Sequence, residues 1–276
     1  MTKIKIIADS TAYLTKEYIK QENISVVPLN YVFGDESGKE PFPGDFEDFY
    51  NKLESTKLFP STSQPSAGDF VDAFKSAFEE GYDEVIAIVL SSKISGTYNS
   101  GILAKNMLED KKITIIDSLN VASNMRFLVE DAVEMAKEGS SSEEIELHLN
   151  NKKKNMSIYL TTETLEYLSR GGRISSIQSK IGNLLNIKPI LELKDGELVL
   201  LEKLRGKNKA LKAMIDKIPE DALQIGICHI LNIKGAEKLK ESLNKKFPDI
   251  EIQIDELGPV IGTHLGPRGI GICISK

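Results

Sequence analysis

The sequence predicts an α/β protein in two parts, on three observations. A length of 276 residues exceeds one typical domain and leaves room for two. In the first half, short β-branched runs alternate with helical spacings, and several of the runs end in polar residues. That is the pattern of a parallel sheet whose ligand edge lies at the strand C-termini. Near Asn155 the pattern changes, because Ile187–Leu193 and Leu198–Leu204 flank Lys194-Asp195-Gly196-Glu197, and an Asp-Gly turn that tolerates positive φ brings in antiparallel pairing. The expected division is a parallel α/β domain over residues 1–155 with hydroxyl-rich loops, and a mixed-sheet α/β domain over residues 156–276 closing over a ligand.

Ile4–Ala8 is a buried strand ending in Asp9-Ser10-Thr11, followed by helical character over Thr15–Glu22. Ile24–Phe33 is rich in β-branched and aromatic residues, with Pro28 at an edge or strand start. Gly34 to Pro43 reads as a loop, and Phe46, Phe49, Tyr50 and Leu53 recur at helical spacing as a core-facing stripe. Pro60-Ser61-Thr62-Ser63-Gln64-Pro65-Ser66 is a stiff hydroxyl-rich stretch, whose Ser66 opens a capping box with Asp69. Val85–Leu90 is a buried strand that breaks into Ser91, Ser92, Ser95, Gly96 and Thr97 before a helix over Tyr98–Leu108. Ile113–Ile116 ends at Asp117-Ser118, and helices over Met125–Lys137 and Ser142–Asn150 complete the first half.

In the second half Ser157–Thr161 is a strand, Thr164–Ser169 a short helix and Arg170-Gly171-Gly172-Arg173 a sharp loop. After the hairpin come a helix at Lys209–Lys217, a strand at Gln224–His229, a helix at Gly235–Lys246 and a strand at Ile250–Leu257. Gly258 to Pro267 reads as a glycine- and proline-rich loop, and Ile270–Ser275 as the closing strand.

A net charge of −6 with interspersed signs argues against a nucleic-acid face, and Lys152-Lys153-Lys154 reads as a solvated helix end. Cys228 and Cys273 lie in apolar runs without CxxC spacing, as small buried hydrophobes of a reduced compartment would. The start MTKIKIIADS has no long apolar segment, so a cytoplasmic protein without stable membrane insertion is expected. Three histidines without HExxH or Cys/His spacing predict no metal site, and the absence of Walker, GxGxxG and GxSxG patterns disfavours nucleotide cofactors and the α/β-hydrolase elbow.

Hydroxyls before helices usually serve as caps, but three such loops in one α/β half converge on one sheet edge, where helix N–H groups favour an oxyanion. His264, between glycines, is placed to meet a ligand. Arg173 in the double-glycine loop and Arg205 after a strand are fixed positive charges suited to phosphate. A competing reading makes Ser95 a nucleophile and His264 its base, with the Gly96 N–H as oxyanion donor, in a hydrolase or acyl-transfer enzyme. A small-anion or sugar-phosphate sensor is a third, and predicts no apolar tunnel.

Asp9-Ser10-Thr11, Ser61–Ser66, Ser95-Gly96-Thr97-Tyr98, Leu165–Leu168 through Gly171-Gly172-Arg173-Ile174, and Gly258–His264 together resemble the motifs of the DegV family, across nearly the whole chain. The resemblance implies a three-layer α/β/α parallel-sheet domain joined to a two-layer domain with a mixed sheet, holding a long-chain fatty acid between them. It implies a binding protein without a cofactor. In FakB-type members the acid is presented to a separate ATP-dependent kinase, related to dihydroxyacetone kinases, that makes acyl phosphate, a phospholipid precursor. Carried onto this sequence, the carboxylate contacts fall at Thr62, Ser95 and His264 with the Gly96 backbone, and Ser10, Ser63 and Thr263 lie in the same motifs; Arg173 and Arg205 are the candidates for partner or phosphate contact. Two departures are expected to alter the tail pocket: Ala122-Ser123-Asn124-Met125-Arg126 replaces a family Ser-Met-Gly-x-Gly, and Gly266-Pro267-Arg268 a family Gly-Pro-Gly.

Overall fold

A computed structural model describes residues 2–173 and 187–276. The first half runs β1 (Ile4–Asp9), α1 (Lys16–Glu22), β2 (Ser25–Val27), β3 (Asn30–Phe33), β4 (Glu36–Lys39), α2 (Glu47–Ser55), β5 (Ser61–Ser63), α3 (Ala67–Glu79), β6 (Glu84–Val89), α4 (Thr97–Asn106), β7 (Lys112–Asp117), α5 (Ala122–Glu138) and α6 (Ser142–Lys152). The second runs β8 (Met156–Thr161), α7 (Glu166–Arg170), β9 (Lys188–Lys194), β10 (Glu197–Leu204), α8 (Lys207–Asp216), β11 (Gln224–His229), α9 (Ile233–Lys246), β12 (Gln253–Glu256), α10 (Pro259–Leu265) and β13 (Ile270–Ser275).

β2-β1-β6-β7 form a parallel sheet. Its strands are apolar on both faces because helices cover both. Ile7, Val85, Ala87 and Val89 pack with Phe70 and Phe74 of α3 and Ala104 of α4. On the other face Ile6, Ile86 and Ile88 pack with Met125, Leu128 and Ala132 of α5 and Ile145 of α6. This is the expected α/β/α stack.

The mixed sheet has the order β10-β9-β8-β13-β11-β12, in which only β11 and β12 run parallel. Its outer face buries Ile190, Ile225, Ile227 and Ile272 under α8 and α9. Its inner face meets α5, so one helix serves as a layer between the two sheets. Gly226 makes that contact possible, since a Cβ there would stand 2.5 Å from the Ser123 side chain. The free Cys228 and Cys273 are buried at this inner face.

Four expectations are corrected. The loop expected over Gly34–Pro43 contains β4, which with β3 and β5 makes a separate antiparallel sheet of three strands. Pro28, lacking an N–H, separates β2 from β3, so the single run read over Ile24–Phe33 serves two sheets. The loop expected over Gly258–Pro267 contains α10: Pro259 suits the first helical position, and Gly266 at φ +73 ends the helix. Glycine content hid this helix, and with it the fact that His264 sits on a helical turn. Finally, the lysine run is tied down: Lys152 bridges Asp131, and Lys153 donates to the Asp117 carbonyl at 2.7 Å, its half-burial holding its pKa below the usual range.

Candidate functional site

A cavity of about 750 Å³, its mouth included, lies between the parallel sheet's C-terminal edge and the mixed sheet. Leu90 and Ile94 reach it from the end of β6, Ile158 and Leu160 from β8, Leu193 and Leu198 from the β9–β10 hairpin, and Val260, Ile261 and Leu265 from α10. Among the described residues its polar lining is Thr62, Ser63, Gln64, Ser95, Arg173 and His264. The separate surface groove of about 850 Å³ beside Lys93, Gly96 and Asn99 shares Ile94, Ser95, Arg173 and Leu198 with it. Shared polar walls put the cavity's polar side next to the surface.

Thr62 and His264 meet because β5 pairs with β3 while α10 packs against both. The Thr62 hydroxyl and His264 Nε2 are 2.8 Å apart. His264 Nδ1 is buried without a hydrogen-bond partner among the described residues. An N–H there would be an orphaned donor, costlier than an idle lone pair, so the favoured tautomer carries its proton on Nε2 and donates it to Thr62. The Thr62 O–H is then free to donate to a ligand. Burial, then the nearby Arg173 guanidinium, lower the His264 pKa to about 4, so the ring is neutral at ordinary pH.

The close fit at Nδ1 explains Gly171, where a Cβ would stand 2.2 Å from that nitrogen. The double-glycine loop is stapled by Arg173, whose Nε donates to the Ile94 carbonyl at 3.2 Å and whose Nη1 donates to the Gly171 carbonyl at 2.5 Å. Burial lowers the Arg173 pKa, and the residue lines the cavity. Ile174, the end of that motif, lies outside the described residues.

Ser95 also has a structural task. Its hydroxyl accepts from the Thr97 N–H at 3.3 Å and shares a 2.9 Å hydrogen bond with the Thr97 hydroxyl, at the start of α4. Gly96 is the α4 N-cap, and a Cβ there would meet the Gln64 amide at 2.6 Å. Gln64 is thus a polar wall residue that the sequence reading passed over; its signal was the Gln-Pro pair closing the hydroxyl-rich stretch.

The remaining candidates separate. Ser10 is not on the cavity wall: it donates to Glu40 at 2.5 Å and accepts from the N–H of the wall residue Leu29. Ser63 lies on the wall but is exposed, and Thr263 is buried outside the lining with its hydroxyl unpartnered. Arg205 is exposed after β10, seven residues beyond the wall residue Leu198, roughly 23 Å along an extended strand. Asn124 and Arg126 do not line the cavity: Asn124 donates to the Ser157 carbonyl, while Arg126 pairs with Glu130 and with Asp255.

The geometry gives little to the serine-nucleophile reading. The imidazole bonds Thr62 rather than Ser95, its other nitrogen faces Gly171, and Arg173 opposes its protonation. The apolar cavity likewise opposes a sensor of a small anion alone. Among the described residues, no group of three or more His, Cys, Asp or Glu could hold a metal ion, and no helix is long and apolar enough to cross a membrane.

Residues 3–276 match a family described as "Uncharacterised protein, DegV family". The chain belongs to the DegV family. A DegV domain-containing protein of Halalkalibacterium halodurans is 40% identical over 277 residues, covering 99% of this chain and 98% of the relative. The crystal structure of DegV from Bacillus subtilis, described as a fatty acid binding protein, superposes with a TM-score of 0.89 at 35% identity, over 100% of this chain and 99% of that one. A Thermotoga maritima protein whose structure is said to reveal fatty acid binding function superposes at 0.88 with 32% identity, over 100% and 99% of the two chains. The two-domain α/β DegV architecture, with a parallel and a mixed sheet, is therefore that of this chain.

Proposed function

We propose that the protein binds a long-chain fatty acid in the cavity between its two domains, residues 1–155 and 156–276, and acts as a carrier rather than an enzyme. The observation that carries this reading is a largely apolar cavity with Thr62, His264, Ser95 and Gln64 among its few polar wall residues. About fourteen buried methylenes at about 0.8 kcal/mol each give roughly 11 kcal/mol gross before ordering costs. Each head-group hydrogen bond adds about 1–3 kcal/mol. The tail supplies affinity and the hydroxyls fix register. The descriptions of the Bacillus and Thermotoga relatives as fatty-acid binding point the same way.

Organic extraction of purified protein followed by mass spectrometry tests this. The expected result is a fatty acid at near-stoichiometric occupancy; empty protein that shows no thermal shift with C14–C18 acids overturns it.

The fuller reading is a cytoplasmic protein that presents the carboxylate to a separate ATP-dependent kinase of the dihydroxyacetone-kinase type. The shared walls of cavity and surface groove support it, because a kinase must reach the carboxylate. Arg173, on the walls of both, is the first candidate for contact with transferring phosphate; Arg205 would touch the partner at a distance. Arg173→Ala should keep its fatty acid and lose most partner-dependent acyl-phosphate formation, and normal turnover would remove Arg173 from the mechanism.

A further inference from the structure

Glu40 follows β4 and is only 4% exposed. Oε1 accepts from the Val260 N–H at 2.8 Å and from the Tyr13 hydroxyl at 3.3 Å, while Oε2 accepts from Ser10 at 2.5 Å. These donors are neutral. The groups facing it are Asp9 at the end of β1, Tyr13, and Tyr50 from α2, which also feels the charge of Glu256 of β12. A carboxylate buried among acids and phenols is costly, and its position calls for a reason.

The reason lies in what it joins. The Glu40 N–H donates to the Leu29 carbonyl at 2.7 Å, and Ser10 accepts from the Leu29 N–H while donating to the Glu40 carboxylate. Leu29 and Val260 are both walls of the cavity. Val260 sits in the first turn of α10, whose N-cap, Gly258, has no side chain to offer. Glu40 supplies the missing acceptor from the other half of the chain, and Gly258 lets it approach, since a Cβ there would stand 2.7 Å from Oε1. Tyr50 secures the same end by donating to the Leu257 and Gly258 carbonyls. α10 is only about 10 Å long at 1.5 Å per residue, so slack at its start is carried to His264 in its last turn.

We infer that Glu40 is a positioning residue for the cavity, a latch that holds the α10 wall, and His264 with it, against the first half of the chain. The inference rests on the fatty-acid reading for its consequence, and on the geometry alone for the latch. Desolvation, reinforced by Asp9, raises the Glu40 pKa to about 7 against the hydrogen bonds that lower it. Released into water, the group would return toward its ordinary value of 4.5. The latched form therefore binds the proton more tightly, and raising pH from about 4.5 to about 7 favours release of α10.

Two measurements test this on the full chain. In ligand-free protein, opening of the α10 amides, from hydrogen exchange corrected for intrinsic rates, should rise between about pH 4.5 and about pH 7 and level off above that. Glu40→Gln, which keeps an acceptor for Val260 but cannot ionise, should flatten that profile. Release of palmitate to excess albumin should be about tenfold faster or more in Glu40→Ala, and within about twofold of the parent in Glu40→Gln. Parent-like α10 opening and palmitate release in Glu40→Ala overturns the latch, as does an unchanged pH profile in Glu40→Gln. Should the parent protein hold no palmitate, the fatty-acid reading fails by itself, and the exchange profiles alone decide whether Glu40 latches α10.

Discussion

The crevice between β1 and β6 and the cavity just beyond it share one sheet edge, yet they are filled in opposite ways. In the order β2-β1-β6-β7 the connections diverge between β1 and β6, the point at which open parallel sheets usually hold ligands. Here the protein's own Asp9 fills it. Oδ2 accepts from the Leu90 N–H at 2.7 Å, and Oδ1 from the Thr11 N–H and hydroxyl at 2.8 and 2.6 Å. The cavity instead leaves the Thr62 O–H free to donate and draws most of its apolar lining residues from β8, the β9–β10 hairpin and α10. Strand topology thus selects the edge, but a second half of the chain is needed to make room for an apolar ligand.

The largest effect that would break this contrast is expected at Asp9. Asp9→Ala orphans two buried backbone N–H groups and the Thr11 hydroxyl, and should cost about 4 kcal/mol of stability in urea denaturation. A variant that kept its stability and lost only ligand would make Asp9 part of the site instead of a plug.

Acidity probes the same contrast through two buried carboxyls. Burial raises Asp9 to about 6 and Glu40 to about 7. Groups raised in the folded state contribute stability that is complete below their unfolded values, here 3.8 and 4.5, and is lost as pH climbs through the folded ones. Stability should therefore fall from about pH 4 to about pH 7, by on the order of 3 kcal/mol for Glu40. Glu40→Gln should remove the upper part of that slope and leave the part belonging to Asp9. A slope unchanged in the variant would mean that Glu40 is hydrated in the folded protein.

How much of this was legible in the sequence follows from where each residue gets its environment. The β-branched runs of β1, β6 and β7 announced themselves because strands covered on both faces are apolar throughout. Ser66 and Asp69 announced α3 because a capping box is a local signal. By contrast, α10 was hidden by glycines whose purpose is tertiary: Gly258 admits Glu40, and Gly262 admits the Tyr50 hydroxyl, which a Cβ would meet at 2.5 Å. The same holds at the site. Hydroxyl-rich stretches pointed to Thr62 and Ser95, whereas Ser10, with the same local signature, is turned to Glu40 by a contact across thirty residues. Local pattern cannot choose between those outcomes; the packing of β3–β5 against α10 does.

Within the cavity, two hydroxyls sharpen the contrast between donors left free and donors already used. Thr62→Val should weaken fatty-acid affinity by about 2 kcal/mol, because the freed Thr62 O–H has only the ligand to serve. Ser95→Ala should cost about 1 kcal/mol in affinity and a similar amount in stability, since Ser95 also accepts from the Thr97 N–H at the start of α4. Calorimetric titration with palmitate, paired with thermal melts, checks both. Equal losses would mean that Ser95 leaves Thr97 when ligand enters.

The smallest expected effect lies outside both regions. Arg268 follows α10 with φ +65, a left-handed conformation that costs a side-chain-bearing residue about 1 kcal/mol relative to glycine. Its backbone N–H donates to the Ile230 carbonyl at 2.8 Å, which fixes the bend whatever the side chain. Glycine would meet this backbone requirement at lower cost, and the exposed guanidinium is not part of the cavity wall. Arg268→Gly should therefore stabilise the protein by about 1 kcal/mol, raising Tm by roughly 2–4 °C, while palmitate affinity stays within about twofold. A larger change in affinity would show that the bend between α10 and β13 reaches His264, and would join this third region to the site.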